Sequence, residues 1–410
     1  MSTLLRGWAV LLLMVGLCWP VVVAGAEPEP KPNAVVVVLV PLSGELSTMG
    51  EQLVEAAQLG ARRTGVIIEG IDEGESVEQT LEAVAAQGER EEVVAIIGPL
   101  KRRHGEPAAR LAQQKGVPMV VYSSQQGVEM RGNKIFRGRP GFDAQAKQLA
   151  EYLRTGLEID DVGVVAPRSR YGDEALPAVV DAMDEQGGRV SAMARYPENT
   201  TDFRIPLQVL TGQRAYVGRG RSLSQHRVDR WGTVSLVGEN APDFEALIIL
   251  DFHDVVARML PFLPGEGLRT GASEQGRPLQ LIGLSGWRGD GLGRAGDHAM
   301  GGVFFDTFGG ERDGLTAQRF VSEFRGITGR EVTTPEAEIY DLVALIATAV
   351  ERAPSTQRRD AVVEFLRNDS PYVGVTGNWA FDRWGAPIRT LHPYRVIDEG
   401  RWVRADGGDW

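Results

Sequence analysis

Cysteine is all but missing from this chain. The only one, Cys18, lies in an apolar leader. Beyond Ala26, where Ala24 and Ala26 place small residues at −3 and −1 of a signal-peptidase cut before Glu27, no thiol remains. Disulfides, thiol catalysis and cysteine-based metal sites are thereby excluded from that part of the chain. Histidine is scarce as well. His104, His226, His253, His298 and His392 form no HExxH pair, and none stands four residues from another, so no zinc-type motif is present. The phosphate-cradling G-x-x-x-x-G-K-[ST] loop is absent. Gly291 to Gly296 spells G-x-G-x-x-G, but "DHAMGG" and an apolar strand follow it instead of a helix, so it reads as a Gly-rich loop. "GLSGW" at Gly283 to Trp287 lacks the second glycine of a nucleophile elbow. No coherent catalytic constellation emerges, and no cofactor or metal is implied.

Positive charge is also in deficit, with 44 Lys and Arg against 55 Asp and Glu, a net charge of −11. That balance argues against nucleic acid and against an anionic membrane surface as main partners. Long hydrophobic runs occur only in the leader. Arg6 and "GWAVLLLMVGLCWPVVV" read as the n- and h-regions of a secretory signal over residues 1–26, with Pro20 interrupting a stretch already short for a membrane span. Leu17 precedes Cys18 where a lipidation site needs a small side chain, so a plain cleaved signal and a periplasmic location are expected. "EPEPKPN" (27–33) reads as a charged, Pro-rich tether.

What the chain does have is a repeated alternation of apolar runs and amphipathic stretches. "AVVVVLV" (34–40) leads to a helical pattern over 47–63. "GVIIEG" leads to a helix over 77–87, and "VVAIIG" (93–98) is followed by "EPAARLAQQKG" and "PMVVYS" (118–123). Unbroken Val/Ile runs mark parallel strands covered on both faces, and helices between them imply right-handed crossovers. After "RGRPG" (137–141) the series restarts with "GFDAQAKQLAEYLRTG", "VGVVAP" (162–167), "YGDEALPAVVDAMDEQGG" and "RVSAMARYP". It continues through "EALIIL" (245–250) and "LQLIGLSG" (279–286). Two doubly wound α/β lobes follow from this. The later "GGVFFDTF" (301–308), the helix near "PEAEIYDLVALIATAVERA" and the strand pair in "YRVIDEGRWV" could belong to either lobe. An Arg-rich insertion at 211–232 breaks the rhythm. It reads as a solvated loop or as a docking element for an acidic partner.

Ligands of open α/β sheets sit beyond the carboxyl ends of the strands. Those ends carry Ser43 to Met49, "GPLKRRHG" (98–105) with Arg102 and Arg103, and "YSSQQG" with Ser123, Ser124 and Gln126. In the second series they carry Tyr171, Asp251-Phe252-His253 and Ser285-Gly286-Trp287. Hydroxyls, an amide, arginines and aromatics suit a small polar ligand better than proton abstraction or metal binding. The candidate ligand-binding residues are therefore Ser43, Met49, Arg102, Ser123, Ser124, Gln126, Tyr171, Asp251, Ser285 and Trp287.

The segments "VVVVLVPLSGELSTMGEQLVEAAQLG", "AIIGPL", "GVPMVVYSS", "IFRGRPGFDAQAKQLAEYL", "RYGDEALPAVVDAMDEQGG", "YPENTTDFRIPLQVL", "FEALIIL" and "LIGLSGW" resemble, in order, the type I periplasmic solute-binding proteins of the leucine/isoleucine/valine-binding group. The resemblance implies two Rossmann-like lobes joined by three crossovers and closing by a hinge. One lobe would take 34–140 plus about 306–368, the other 141–305 plus about 369–410. It implies a small-molecule ligand and an ABC permease as partners. It places Tyr171 on the family's "YG" tyrosine, and Ser124 and Gln126 in the segment that holds an amino acid's charged groups. Met49 stands where an aromatic is common. Arg102 and Arg103 replace small hydroxyl residues, and Ser285 replaces an acid that would neutralise an ammonium, which points toward an anionic ligand or none. The insertion and the ending "GVTGNWAFDRWGAPIRTLHPYRVIDEGRWV" are similar to a branch of penicillin-binding-protein activators, which stimulate a peptidoglycan synthase by contact. An envelope scaffold of that kind is the alternative expectation.

Overall fold

The valine run at the start of the first lobe is a buried strand, β1 (Ala34–Val40), every residue of which is shielded from solvent. In this computed structural model the described residues are 34–213, 244–270, 279–368, 372–398 and 401–405. The expected leader and tether, and all but the first three residues of the 211–232 insertion, lie outside them. Parallel neighbours β2 (Val66–Asp72), β3 (Val93–Ile97), β4 (Met119–Val121) and β5 (Ile135–Arg137) complete a five-stranded sheet in the order β2-β1-β3-β4-β5. Helices α1 (Ser47–Ala61), α2 (Val77–Gly88) and α3 (Arg102–Lys115) form the crossovers between its strands.

The second lobe repeats the plan. Helix α4 (Phe142–Glu151) leads to strand β6 (Asp161–Pro167), and α5 (Arg170–Glu185) leads on to β7 (Arg189–Tyr196). After α6 (Arg204–Leu210) come β8 (Ala246–Ile249), α7 (His253–Met259), β9 (Gln280–Gly283) and β10 (Val303–Asp306). The parallel part of this sheet runs β7-β6-β8-β9-β10, the same permutation as in the first lobe. In that arrangement the connections leave the central pair of strands in opposite directions, and the crevice between them is where a doubly wound sheet binds ligand. The two crevices lie beyond β1 and β3 in one lobe and beyond β6 and β8 in the other.

The first βα unit of each lobe also matches in detail. Gly50, in the first turn of α1, lies so close to the chain leaving β1 that a Cβ would stand 1.7 Å from the Pro41 carbonyl oxygen. Gly172, in the first turn of α5, would put a Cβ 2.1 Å from the Pro167 carbonyl. Only glycine permits either approach. Met49 and Tyr171, each immediately before its glycine, therefore occupy equivalent corners of the two lobes.

Beyond β10 the chain returns to the first lobe. Helices α8 (Leu315–Thr328), α9 (Thr334–Glu351) and α10 (Arg358–Asn368) follow. Ile339, Leu342, Val343, Ile346, Val362 and Phe365 from the last two pack with β1 residues Val36, Val38 and Val40. A small antiparallel sheet, β11 (Tyr372–Gly374), β12 (Gly377–Phe381) and β13 (Pro387–Ile388), comes next. The expected boundary gave everything from 369 onward to the second lobe. Instead, Trp379 and Phe381 are buried in the same core as β1, so the chain crosses over only after Ile388. Finally β14 (His392–Asp398) and β15 (Arg401–Arg404) add two antiparallel strands beside β10. Among the described residues the chain thus passes between lobes three times, at 138–141, 307–314 and 389–391.

Candidate functional site

A cavity of about 1360 Å³ opens between the lobes. Met49, Leu100, Arg102, Tyr122, Ser123 and Ser124 line it from the first lobe, all from loops or helix starts at the carboxyl ends of strands. Phe142, Arg170, Tyr171, Phe252, His253 and Ser285 line it from the second. The second-lobe wall is aromatic. The Tyr171 ring meets Phe142 edge-on, centroids 5.0 Å apart, and lies tilted against Phe252, also at 5.0 Å. The Tyr171 hydroxyl is buried, and among the described residues no group hydrogen-bonds to it. Burial, then the nearby Asp251 charge, push that phenol well above its ordinary pKa, so it stays protonated and available as a donor.

Beside the rings, Ser285 donates its hydroxyl to Gln145 Oε1 at 3.0 Å, and Gln145 in turn donates Nε2 to the Pro140 carbonyl at 3.1 Å. The neutral amide thereby ties the second lobe to the first crossover. His253 accepts at Nδ1 from the Gly291 amide at 3.2 Å. Ser285 and His253 are thus each committed elsewhere, and a serine–histidine nucleophile pair does not form in this geometry.

The floor is a buried ionic network where the crossovers meet. Glu338, fully buried on α9, accepts from Tyr122 Oη at 2.6 Å and from Thr307 Oγ1 at 2.7 Å, and lies 3.2 Å from Arg139 Nε. Asp306 accepts from Thr334 Oγ1 at 2.6 Å and from Arg288 Nη1 at 3.1 Å. Burial raises the Asp306 pKa while Arg288 opposes the shift. Burial works against the charge on Arg139, but Glu338, Tyr122 and Asp306 outweigh it and hold the guanidinium protonated. Each charge has a partner of opposite sign, which is what allows the network to exist away from water.

Residues 35–215 match the family model described as periplasmic binding protein. A branched-chain amino acid ABC transporter structure from Rhodospirillum rubrum superposes with a TM-score of 0.74 at 19% identity, covering 91% of this chain and 99% of that one. The fold is that of a type I periplasmic binding protein. Two further structures share it at a TM-score of 0.65, each covering 91% of this chain. One is the branched-chain amino acid substrate-binding protein of Streptococcus pneumoniae in complex with isoleucine, at 19% identity and 99% of its own length. The other is a solute-binding protein of R. palustris in complex with benzoate, at 13% identity and 95%. No curated protein matches this chain.

Within this binding-protein fold, six of the ten expected residues come together around the cavity: Met49, Arg102, Ser123, Ser124, Tyr171 and Ser285. The other four are not part of its lining. Ser43 is exposed on the loop after β1, and its hydroxyl bonds the Asp72 carboxylate. Gln126 is exposed and packs beside Gly141 of the first crossover. Asp251 is buried, accepting from Tyr196 Oη at 2.5 Å and from the Phe252 amide at 2.8 Å. Trp287 is a core residue whose indole N–H donates to the Ile249 carbonyl at 2.9 Å. Phe142, Arg139, Arg170 and Arg288 were not among the expected residues. "RGRPG" carried the signal for Arg139 and for Phe142, which directly follows it, because a crossover between lobes necessarily borders the cleft. Among the described residues no group of three His, Cys, Asp or Glu could hold a metal ion, and no helix is long and apolar enough to cross a membrane.

The loop that presents Arg102 rests on a buried acid. Glu73, fully shielded from solvent, accepts from the Leu100 amide at 2.6 Å and the Lys101 amide at 3.0 Å. Burial raises its pKa, the two amides only partly offset this, and the result is about 7. His104 lies against the same cluster, 2.8 Å from Thr80 Oγ1, and burial lowers its pKa, followed by Arg103 and Lys101. Because Glu73 binds its proton more tightly folded than unfolded, its contribution to stability is full below about pH 4.5. That contribution falls as pH rises toward 7 and is flat above. The difference amounts to roughly 3 kcal/mol. Glu73→Gln should flatten that decline in urea unfolding followed at pH 5, 6, 7 and 8. Equal slopes for the two proteins would contradict it.

Proposed function

We propose that the chain is a non-enzymatic periplasmic binding protein that closes on a small polar solute, amino-acid-like or anionic, and delivers it to an ABC-type permease. The observation that carries this reading is the interlobe cavity, in which an aromatic wall, the Ser285 hydroxyl and an unpartnered buried phenol from one lobe face Arg102, Ser123 and Ser124 from the other. Concave sites with a mainly apolar lining and a few convergent polar groups are what small solutes occupy. Relatives in fold that were solved with isoleucine and benzoate hold solutes of this size. A cleft plugged by both Arg102 and Arg103 would favour the alternative, a scaffold for a peptidoglycan synthase. Arg103 turns away to the Glu75 carbonyl and His104, while Arg102 lines the cavity and pairs with Glu174 of the other lobe.

Thermal unfolding of the full chain with 1 mM of each member of a panel of amino acids, short peptides and carboxylic acids tests the proposal. A solute bound with a Kd of about 10 µM stabilises the folded state by about 2.7 kcal/mol at that concentration, a shift of several degrees. No shift with any member of the panel would count against solute binding.

A further inference from the structure

Helix α3 begins with an unusual charge pattern. Its first turn holds Arg102 and Arg103, Lys101 precedes them, and no acid is present to complement the positive end of the helix. Two of the three cations are answered within the first lobe. Lys101 Nζ lies 2.9 Å from Glu75 Oε1, and Arg103 donates to the Glu75 carbonyl. Arg102 is answered from the other lobe, by Glu174 on α5. Glu174 also accepts from Arg170 Nε, one turn earlier on the same helix, at 3.2 Å. Two guanidiniums that line the cavity therefore share one carboxylate, and Arg102 Nε is buried with no hydrogen-bond partner among the described residues.

The other acids that line the cavity are engaged elsewhere. Asp306 is matched by Arg288, and Glu311 and Glu331 share Arg325, at 3.1 and 2.7 Å, where their side chains are exposed to solvent. At Ser285 the neighbouring group is the amide of Gln145, which carries no charge to offer an ammonium.

We propose that Arg102, Arg170 and Glu174 form a charge latch across the cleft, in which the Arg102–Glu174 pair holds the lobes together and the surplus guanidinium selects carboxylate solutes that lack an α-amine. The selection rests on the solute-binding reading above; the latch does not. A carboxylate reaching the trio gains charge-assisted hydrogen bonds from forked donors. An α-ammonium brought to the same place meets two like charges, and the one carboxylate of the trio, Glu174, is already shared between them.

Two measurements on the full chain separate the parts. Small-angle scattering without solute reads the latch. Arg102→Glu and Glu174→Arg should each raise the radius of gyration, and the double variant, which restores the pair with reversed polarity, should bring it back. Unchanged scattering in the single variants, or no recovery in the double, would overturn the latch. Calorimetric titration reads the selection with two matched pairs of probes, leucine against 4-methyl-2-oxopentanoate and phenylalanine against 3-phenylpropionate. The amine-free member of at least one pair should bind about tenfold more tightly, and Arg170→Gln should remove most of that difference while leaving the scattering unchanged. An amino acid that binds as tightly as its amine-free partner, or an Arg170→Gln protein that keeps the preference, would overturn the selection alone. If no solute of any class binds, the solute-binding reading fails and the selection with it, whereas the scattering result still decides the latch.

Discussion

Asp341→Ala is expected to cost about 3–5 kcal/mol of unfolding free energy, read as a lower urea midpoint. Asp341 is fully buried on α9 and accepts four hydrogen bonds from the small sheet: the Val375 and Thr376 amides at 2.8 Å each, Thr376 Oγ1 at 2.5 Å and Trp379 Nε1 at 3.1 Å. Arg389 completes the cluster. It is also buried, donates to the Thr376 carbonyl and hydroxyl at 2.8 and 2.7 Å, and stacks 3.6 Å from the centre of the Trp379 ring. Burial raises the Asp341 pKa, opposed first by the Thr376 and Val375 hydrogen bonds and then by Arg389, and it lowers that of Arg389, opposed first by Glu338 and then by Asp341. Removing the carboxylate strands the Val375 and Thr376 amides, takes the acceptor from the Thr376 hydroxyl and leaves Trp379 Nε1 only its bond to Thr376 Oγ1. It also removes one of the two acids, with Glu338, that most support the buried Arg389 charge. A loss below about 1 kcal/mol would show that the cluster is not holding the fold together.

That cluster also bears on the hinge. The chain leaves it directly for the second lobe, where Gln148 of α4 grips the third crossover, donating to the Arg389 carbonyl at 3.2 Å and accepting from the Leu391 amide at 2.8 Å. A variant weakened at Asp341 should therefore also lose fixed geometry between the lobes.

The second large effect concerns the cavity wall. Tyr171→Ala should weaken solute binding about 100-fold, near 2.7 kcal/mol, because it removes the ring that joins Phe142 to Phe252 and takes the unpartnered hydroxyl with it. Tyr171→Phe separates the two contributions. It keeps the ring and should lose about tenfold where the solute takes up the phenol as a donor. Both are read by titration with whichever solute gives the largest thermal shift. An alanine variant that binds within about twofold of the parent would contradict the wall's role.

How far the sequence alone reached follows from the range of the interactions. The valine run ending at Pro41 could be read as a buried parallel strand because its evidence is local: seven residues without a polar break, then a breaker. Tyr171 and Ser285 were found for the same reason, each lying just past an apolar run. The correspondence of Met49 with Tyr171 was hidden, since Gly50 lies nine residues beyond Pro41 but Gly172 only five beyond Pro167. The Arg102–Glu174 pair links positions 72 residues apart, and nothing local in either segment announces it. Trp287 looked like a site residue because it follows a strand, yet its indole turns back to Ile249, and the direction of a turn is set by packing that periodicity does not record. The small sheet from Tyr372 to Ile388 has strands of two to five residues, too short for alternation to assign them to a lobe.

The central claim is that this cleft holds one small solute. Equilibrium titration of the full chain with the best solute from the thermal panel, repeated with Tyr171→Ala, tests it most directly. The predicted result is one site per chain with micromolar or tighter affinity, lost about 100-fold in the variant. Absence of binding at millimolar solute, or binding that the variant leaves intact, would contradict it.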